Sequence, residues 1–442
     1  MVKRLIIFVS TILIIPFFAL ASENNKEIRV FDFQGQLLSI VELQDFYWNK
    51  VGDMVVADLG TDGTPEIIIS AAAGAKPYIK IFRLDGSLIN QFLVYPEAYL
   101  GGINLAVADL DKNGVNEIIT GATAGGGPHV LVLNNQGKVL SSFFAFDKAD
   151  KGGVNIAAGN LYNDSLPEII VSSNSRNSIK IFDRQGSFLN QIDLQNSFEH
   201  GQRIKAADLG TDGVAEILVF PNKNDLAGLY LYRNNGEYIA SYSFYDQNFK
   251  GGINLDTDGG LIYFGAGFGN GPYLRIIDGF NNIKIQFSAN EEDFLGGVIP
   301  SVYQNKIYTI PQQFPSASKP DDHYISIDLS EQMLRYFENG FLLDENSISS
   351  GKTNYPTPVG EFSVLKKSKL QFSKKYGLYM PFWMEFYPGF GIHELPYWPN
   401  GYREGQSHLG TPVSHGCVRL GIGPAEKLFS WAAIGTKIYI EK

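Results

Sequence analysis

The residues best suited to chemistry lie near the end of the chain, around its single cysteine. Cys417 stands in the run VSHGCVRL (413–420), and three of the six histidines, His393, His408 and His415, precede it. A thiol attacks a carbonyl efficiently only as the thiolate, and a nearby imidazole can take its proton and stabilise the anion as an ion pair. The pattern therefore predicts a cysteine nucleophile that is activated by a histidine.

Two other roles for this cysteine stay open on the sequence alone. One cysteine excludes a disulfide within the chain, so Cys417 is a free thiol, and a buried, inert thiol is the usual fate of a lone cysteine. Alternatively, His393, His408, His415 and Cys417 could bind zinc, since both residue types are common zinc ligands. No C-x-x-C or H-x-x-x-H pair supports that zinc site.

The glycine between His415 and Cys417 suggests how a substrate reaches the thiol. Gly416 has no side chain, so a carbonyl group can approach the backbone closely at this point. Backbone N–H groups around Gly416 and Cys417 could then stabilise the negative oxygen that forms during attack. The sequence thus predicts an oxyanion hole beside the nucleophile.

The elements that must position these residues are mostly strands. Residues 323–329 and 331–337 alternate like two strands, and Asn339-Gly340 predicts a hairpin turn after them. Residues 424–434 predict one helix, with proline at its start and Gly435 just past its end, and 437–440 predict a last strand. This order of elements predicts a mixed β domain with one short helix.

This order, together with Gly391-Ile392-His393 and the later SHGCVR (414–419), resembles the L,D-transpeptidase catalytic domain (YkuD-type) over about residues 322–441. The resemblance implies a mixed β-sandwich in which Cys417 attacks the third residue of a peptidoglycan stem tetrapeptide and releases D-Ala. An amine of another stem then resolves the thioester and leaves a 3→3 cross-link for cell-wall biogenesis. Water in place of the amine would make the enzyme a carboxypeptidase, and neither reaction requires a cofactor.

The resemblance also assigns roles to the residues of the motif. Cys417 would be the nucleophile, and His393 the general base, oriented by a backbone carbonyl near Glu394. The remaining motif residues would shape the site: His415 on the oxyanion side, and Ser414, Gly416 and Arg419 in the motif loop or against the substrate. The spacer from His393 to Ser414, residues 394–413, is a little longer than is usual in the family, which leaves substrate specificity open.

The first two thirds of the chain repeat with a period of about 50 residues. A short strand ending in a turn glycine recurs, and a glycine pair precedes a second apolar strand. Such repeats are typical of propeller blades, which bury their faces only against neighbouring blades. The region begins with the first type of strand and ends with the second, so its first and last strands can complete one blade together. We predict a β-propeller of about six blades. Copies of the first element are Ile28–Phe31, Ile79–Phe82, Val130–Leu133, Ile179–Phe182, Leu229–Tyr232 and Leu274–Ile277.

Acidic loops lie between these strands, and the clearest is DLDKNGVNE (109–117). The loops resemble the FG-GAP/VCBS repeat family, in which such loops often bind calcium. Oxygen side chains at alternate positions around a turn glycine suit a hard cation, which makes Asp109, Asp111, Asn113 and Glu117 the candidate ligands. The alternative is a set of turns in which these side chains bind their own backbone.

The charge composition and the first residues of the chain limit the cellular locations and the binding partners that we expect. Residues 1–320 carry 24 basic and 33 acidic side chains, and 321–442 carry 12 and 13, which argues against nucleic acid as a partner of the repeats. Residues 1–21 have the basic, apolar and small-residue order of a signal peptide. We therefore expect export to the periplasm or cell wall, with an uncleaved membrane anchor as the alternative.

These features predict a mainly β protein of four segments: a signal peptide (1–21), a β-propeller (22–310), a linker (311–320) and a catalytic domain (321–442). Peptidoglycan stem peptides are the expected partners of the catalytic domain. A wall polymer or a protein is the expected ligand of the propeller. A surface-binding protein with an idle catalytic domain, or a cysteine peptidase acting on ordinary peptides, are the competing functions.

Overall fold

The computed structural model describes residues 26–196, 198–199, 201–222, 228–243, 252–269, 271–315, 319 and 321–442. Within these residues strands dominate, and a single α helix, α1 (Pro424–Trp431), lies near the end of the chain. The predicted signal peptide, residues 1–21, lies outside them. The described helices include none with the length and apolar character that a membrane crossing requires.

Residues 27–311 form a long series of short strands. Their alternating apolar residues favour strands with one buried face, and the turn residues between them end each strand. The strands are β1 (Glu27–Phe31), β2 (Leu37–Glu42), β3 (Val51–Ala57), β4 (Glu66–Ala71), β5 (Tyr78–Phe82), β6 (Leu88–Leu93), β7 (Ile103–Ala108), β8 (Glu117–Ala122), β9 (His129–Leu133), β10 (Val139–Phe144), β11 (Val154–Gly159), β12 (Glu168–Ser173), β13 (Ser178–Phe182), β14 (Phe188–Asp193), β15 (Gln202–Ala207), β16 (Glu216–Pro221), β17 (Gly228–Tyr232), β18 (Tyr238–Ser243), β19 (Ile253–Asp258), β20 (Leu261–Ala266), β21 (Tyr273–Asp278), β22 (Ile283–Ser288), β23 (Val298–Tyr303) and β24 (Lys306–Pro311).

These strands form six antiparallel sheets of four strands each. Five sheets take consecutive strands, from β3–β6 to β19–β22. The sixth has the order β2-β1-β24-β23, with Arg29 opposite Thr309 and Phe31 opposite Ile307. The first and last strands of this region therefore complete one sheet together, as the phase of the repeat predicts. The predicted strand with its turn glycine occupies the corresponding place in every sheet: β1, β5, β9, β13, β17 and β21.

Contacts between sheets follow a regular order. The first strands β3, β7, β11, β15, β19 and β23 each pack against the next in this order, and β23 packs against β3. Side-chain amides reinforce these contacts: Asn104 Nδ2 donates to Val154 O at 2.7 Å, and Asn155 Nδ2 donates to Gln202 O at 2.8 Å. Each bond satisfies a carbonyl of the neighbouring sheet, so that packing and polar pairing set the same order. The sequence analysis missed this role of the asparagines.

Residues 323–441 form a second region with two sheets. Its five-stranded sheet has the order β27-β26-β25-β33-β28, and its four-stranded sheet has the order β29-β30-β31-β32. Apolar residues of both sheets and of α1 share one core, which includes Ile327, Phe386, Ile392 and Leu428. The strands are β25 (His323–Asp328), β26 (Met333–Glu338), β27 (Phe341–Ser347), β28 (Gly360–Ser363), β29 (Lys366–Ser373), β30 (Leu378–Tyr387), β31 (Phe390–Glu394), β32 (Val418–Leu420) and β33 (Lys437–Glu441), and a short 3-10 helix spans Gln406–His408.

The helix ends earlier than the sequence predicts. We expected residues 424–434, but α1 stops at Trp431 because Ala432 adopts an extended conformation, with φ −69° and ψ 128°. The Ala432 N–H still donates to Leu428 O, which closes the last turn, and Gly435 lies in the left-handed region with φ 95°. The chain thus leaves the helix one turn before the glycine that the sequence suggested as its end.

The two regions meet at the turn before β27. The Phe341 ring is buried and lies edge-on to Phe294, with ring centroids 4.9 Å apart, and Gln313 Nε2 donates to Leu342 O at 3.2 Å. The predicted linker, 311–320, begins at the last residue of β24, and Phe314 packs in the core of the first region. Residues 316–318 and 320 of that linker lie outside the described residues.

Candidate functional site

The motif residues come together on two adjacent parallel strands. His393 in β31 lies opposite Arg419 in β32, and Ile392 lies opposite Val418. Ile392 and Val418 are fully buried in the core. Because side chains alternate along a strand, His393 and Arg419 project from the other face. Cys417 immediately precedes β32, and it packs against the cluster that contains Trp383, whose ring lies 5.8 Å from the His393 ring. The predicted base and nucleophile therefore share Trp383 as a neighbour.

His393 is held in one tautomer and one charge state. Its ring is buried, and Nδ1 lies 2.6 Å from the Glu394 backbone oxygen, which can only accept, so the ring proton is on Nδ1. Nε2 is then left as an acceptor. Burial, together with the smaller effect of the positive charge of Arg419, lowers the pKa of His393 to about 3, although the Glu394 carbonyl opposes the shift. The imidazole is therefore a neutral base at physiological pH.

The thiol is also neutral at rest. Burial raises the pKa of Cys417, although a hydrogen bond from the Gly391 backbone and the nearby charge of Arg419 act in the opposite direction. Cys417 packs against an apolar cluster that includes Trp383 and Trp398. The expected thiolate–imidazolium pair is therefore disfavoured in the resting site. The arrangement instead favours removal of the thiol proton by His393 as the substrate arrives.

Hydrogen bonds fix the loop that carries the cysteine. The buried Ser414 Oγ donates to Cys417 O at 2.6 Å and accepts from the Gly416 N–H at 3.0 Å. Thr357 Oγ1 donates to Gly416 O at 2.9 Å. Because the Gly416 N–H already has a partner, it is not the free oxyanion donor that the sequence suggested. The remaining candidate from that prediction is the Cys417 N–H.

Gly416 is required by backbone geometry as well as by access. Its φ of 109° lies in the left-handed region, where side chains are strained. A Cβ at this position would approach the Phe390 ring to 2.3 Å. The Phe390 ring therefore packs directly against Gly416 and leaves no room for a side chain at this position.

Arg419 belongs to an ion-pair network that the sequence analysis missed. Its Nη1 lies 2.5 Å from Glu404 Oε1, and the same oxygen lies 2.6 Å from His408 Nδ1. Glu404 is only 5% exposed, so Arg419 compensates a buried charge. Only the length of the 394–413 spacer hinted at added structure here. Among the described residues, the buried Arg419 Nε–H has no acceptor.

His415, two residues before Cys417, is exposed to solvent. Its ring contacts Tyr355 and Tyr376, each with ring centroids 4.9 Å away. Partial burial lowers the pKa of His415, followed by the positive charges of Lys352, Arg419 and Lys375. These tyrosines and Lys352 carry no motif and come from distant parts of the chain, so no sequence signal identified them.

The acidic residues of the 109–117 loop also come together. Ligand oxygens of Asp109, Asp111 and Glu117 lie within 4.8 Å of one another. Asn113 is less available, since its Oδ1 accepts the Val115 N–H at 2.7 Å. Burial raises the pKa of Glu117, and Asp111 and Asp109 raise it further, so a cation would relieve this repulsion. The three carboxylates therefore suit a hard cation, although Asp111 already forms an ion pair with Arg184.

The alternative turn structure is present in this loop too. Asp109 accepts the N–H groups of Asn113 and Gly114, and Asp58 accepts those of Gly60 and Gly63 in the equivalent loop. The loops thus hold their own backbone whether or not they hold an ion. The zinc alternative gains no support from the described residues, where His393, His408, His415 and Cys417 supply no three ligand atoms close enough to share an ion.

Comparison with known proteins identifies the second region. Residues 322–440 match the family described as the L,D-transpeptidase catalytic domain (YkuD), in agreement with the predicted span. The match supports the predicted C-terminal resemblance. It covers about a quarter of the chain, so it characterises this region and not the repeats.

L,D-transpeptidases are among the solved structures with similarity to the chain, which spans less than two thirds of the length of the first two. Those from Stackebrandtia nassauensis and Xylanimonas cellulosilytica are each 24% identical to it, with a TM-score of 0.25. Each alignment covers 29% of this chain, and 58% and 65% of the respective structures. L,D-transpeptidase 3 from Mycobacterium tuberculosis is 19% identical, with 33% of this chain and 78% of that chain covered and a TM-score of 0.24. No curated protein matches this chain.

Proposed function

We propose that the chain is an exported peptidoglycan L,D-transpeptidase that uses Cys417 as its nucleophile. The observation that carries the proposal is that His393 and Cys417 both lie against Trp383, within a region that matches the family. The neutral imidazole with an unprotonated Nε2 supplies the base that a protonated thiol requires. An idle catalytic domain would have no need to keep this arrangement.

The reaction can be written from these groups. Cys417 Sγ attacks the carbonyl carbon of the third stem residue while His393 Nε2 takes the thiol proton. The C–N bond to D-Ala then breaks, and the imidazolium returns the proton to the departing amine. An amine of a second stem attacks the resulting thioester, loses a proton to His393 and releases the thiol. Transfer to water instead would give the carboxypeptidase.

Incubation of the mature protein with a disaccharide-tetrapeptide tests the proposal. We expect an acyl adduct on the intact protein by mass spectrometry, free D-Ala, and a 3→3 cross-linked dimer. Release of D-Ala without dimer would identify a carboxypeptidase. Absence of adduct and turnover, with calcium present, would contradict the proposed activity and favour the binding-protein alternative.

The repeats are proposed to form a six-bladed β-propeller. The support is the contact order of the first strands, which runs through all six sheets and returns from β23 to β3, and the shared sheet that β1 and β24 complete. A ring of six sheets in an electron-microscopy reconstruction would agree with this, and an open array would contradict it. A wall polymer or a protein is the proposed class of ligand.

Export is proposed from residues 1–21, which carry Lys3 and Arg4 before a long apolar run and end in Ala19-Leu20-Ala21. The proposed locations are the periplasm and the cell wall or surface. N-terminal sequencing of the protein from the cell envelope would separate a cleaved chain, beginning at Ser22, from an anchored one. A cytoplasmic, full-length product would contradict export.

Calcium is proposed to stabilise the loop of Asp109, Asp111 and Glu117. If it binds, calcium at one hundred times its dissociation constant should stabilise the fold by about 2.7 kcal/mol, because it binds only the folded loop. We expect thermal unfolding in millimolar calcium to shift upward, and Asp111→Asn to abolish the shift. Asp62→Asn in the equivalent loop, where Gly60 replaces the middle carboxylate, is the control and should keep it. An equal midpoint with calcium and with chelator would contradict the site.

A further inference from the structure

A positively charged surface lies beside the nucleophile, and the proposed mechanism does not use it. Lys352 Nζ lies 5.4 Å from the centre of the Tyr355 ring, and Lys375 Nζ lies 5.0 Å from that of Tyr376. Both rings contact the exposed ring of His415. The two ammonium groups therefore flank the residue that stands two positions before Cys417. We define the lysine–tyrosine cluster as five side chains: Lys352, Tyr355, Lys375, Tyr376 and His415.

The backbone ties one side of this cluster to the motif loop. The Lys352 N–H donates to Ser414 O at 3.1 Å, and the preceding Gly351 forms a bridge with Ser414. The Tyr355 N–H donates to Lys352 O at 2.8 Å, which closes the turn that carries both side chains. Lys352 is therefore positioned relative to Cys417 by main-chain bonds, and a change in the loop would move both.

The other side of the cluster comes from the turn between β29 and β30. Lys375 and Tyr376 lie at this turn, which the Gly377 N–H closes by donating to Ser373 O at 2.8 Å. Lys374, the neighbour of Lys375, is exposed and is part of no ring contact or ion pair among the described residues. Adjacent lysines in one turn thus have different surroundings, and only one faces His415.

The charge of the cluster is not neutralised within the described part of the chain. No carboxylate there pairs with Lys352 or Lys375, whereas the nearby Arg419 already pairs with Glu404. Partial burial and the surrounding cations lower the pKa of His415, so it adds no positive charge at neutral pH. Lys375 also forms a side-chain hydrogen bond with Tyr376, which raises the pKa of Lys375 and keeps it charged. Two ammonium groups on one small surface, neither paired with a carboxylate of the described residues, form a site for an anion.

The distance from the nucleophile suits one anion of the substrate. The terminal carboxylate carbon of the leaving residue lies three bonds from the attacked carbonyl carbon, so the carboxylate oxygens lie at most about 5 Å away. His415 lies two residues from Cys417, at most about 7 Å along the backbone. A carbonyl placed at Cys417 Sγ can therefore direct the carboxylate of its leaving residue toward the lysine–tyrosine cluster.

We propose that Lys352 and Lys375 bind the terminal carboxylate of the leaving residue and so select stems that end one residue after the attacked carbonyl. The proposal rests on the proposed function of Cys417. A longer stem, such as a pentapeptide, would place an uncharged amide at this surface and its carboxylate beyond it. The lysine–tyrosine cluster would thereby act as a measure of stem length.

The test compares a tetrapeptide stem that has a free terminal carboxylate with the same stem as its terminal carboxamide. For Lys352→Gln and Lys375→Gln we expect KM for the free acid to rise about tenfold each, with kcat nearly unchanged, because charged hydrogen bonds of this kind contribute that much. KM for the carboxamide should stay constant. Lys374→Gln is the matched control and should leave both values unchanged. The thermal midpoints of all variants establish that they are folded.

Binding separates this proposal from the activity. In a Cys417→Ala background, calorimetry with the same two peptides should show a preference for the free acid that Lys352→Gln and Lys375→Gln remove. If the wild type turns over but the lysine variants keep the preference, the proposal is wrong and the activity stands. An equal loss of affinity for both peptides also overturns it, because the lysines would then contact a group that both share. Peptide binding with the preference but without turnover would contradict the activity alone, and absence of binding would contradict both.

Discussion

Replacement of Cys417 by alanine is expected to abolish the acyl adduct and to reduce D-Ala release by at least about three orders of magnitude. Removing the nucleophile of a covalent mechanism has an effect of this size or larger, because binding alone then supplies the residual rate. Cys417 packs against the small cluster around Trp383 and not in the main core of this region, so its loss should leave the fold intact. The measurements are intact mass and the rate of D-Ala release with a disaccharide-tetrapeptide.

Cys417→Ser is the matched variant for this experiment. It keeps the size of the side chain, but a hydroxyl is far less acidic than a thiol, so we again expect a severe loss of rate. Thermal unfolding of both variants should resemble that of the wild type. Turnover by Cys417→Ala at more than about one hundredth of the wild-type rate would show that the cysteine is not the nucleophile.

Replacement of His393 by glutamine is expected to reduce kcat/KM by about two to four orders of magnitude, the usual contribution of a general base. The pH dependence carries the sharper information. A histidine with an ordinary pKa near 6.5 would lose its base form below that pH. Because burial lowers the pKa of His393 to about 3, we expect no loss of wild-type kcat/KM from this residue between pH 7 and pH 5.

The pH dependence of Cys417 alkylation is the second measurement in this experiment. The raised pKa of Cys417 means that less thiolate is present at neutral pH, so alkylation by iodoacetamide should be slow and still rising above pH 8.5, where an ordinary cysteine is half ionised. His393→Asn, which has a smaller side chain, serves as a second variant if the glutamine disturbs the buried site. An inflection near pH 6.5 that disappears in either variant would instead indicate a resting thiolate–imidazolium pair.

The strands, their turns and the motif around Cys417 could be predicted because each depends on residues that are close together in the sequence. Strand alternation and turn glycines identified β5 and β9 together with their counterparts, and the motif around Cys417 led to the proposed roles of Cys417 and His393. The predicted end of α1 was wrong by one turn, because Ala432 already adopts an extended conformation three residues before Gly435.

The surroundings of the site could not be predicted in the same way. Glu404 reaches Arg419 from the spacer, and Tyr355 reaches His415 from a loop about 60 residues earlier in the chain. Such contacts depend on how strands are ordered in the two sheets, which no short spacing records. The charge states also depended on structure, since burial lowers the pKa of His393 and raises that of Cys417.

The sheet shared by β1 and β24 has a mechanical consequence. The two strands are antiparallel, so Glu27 and Pro311 lie at the same end of the pair. A protein held at its N-terminal side while its C-terminal domain is engaged with a rigid polymer would be pulled at that end of both strands. The load would fall on one backbone hydrogen bond at a time, as in a zipper, and would leave the other five sheets unstressed. This shared sheet would then open first and yield at low force, protecting the rest of the molecule from extension.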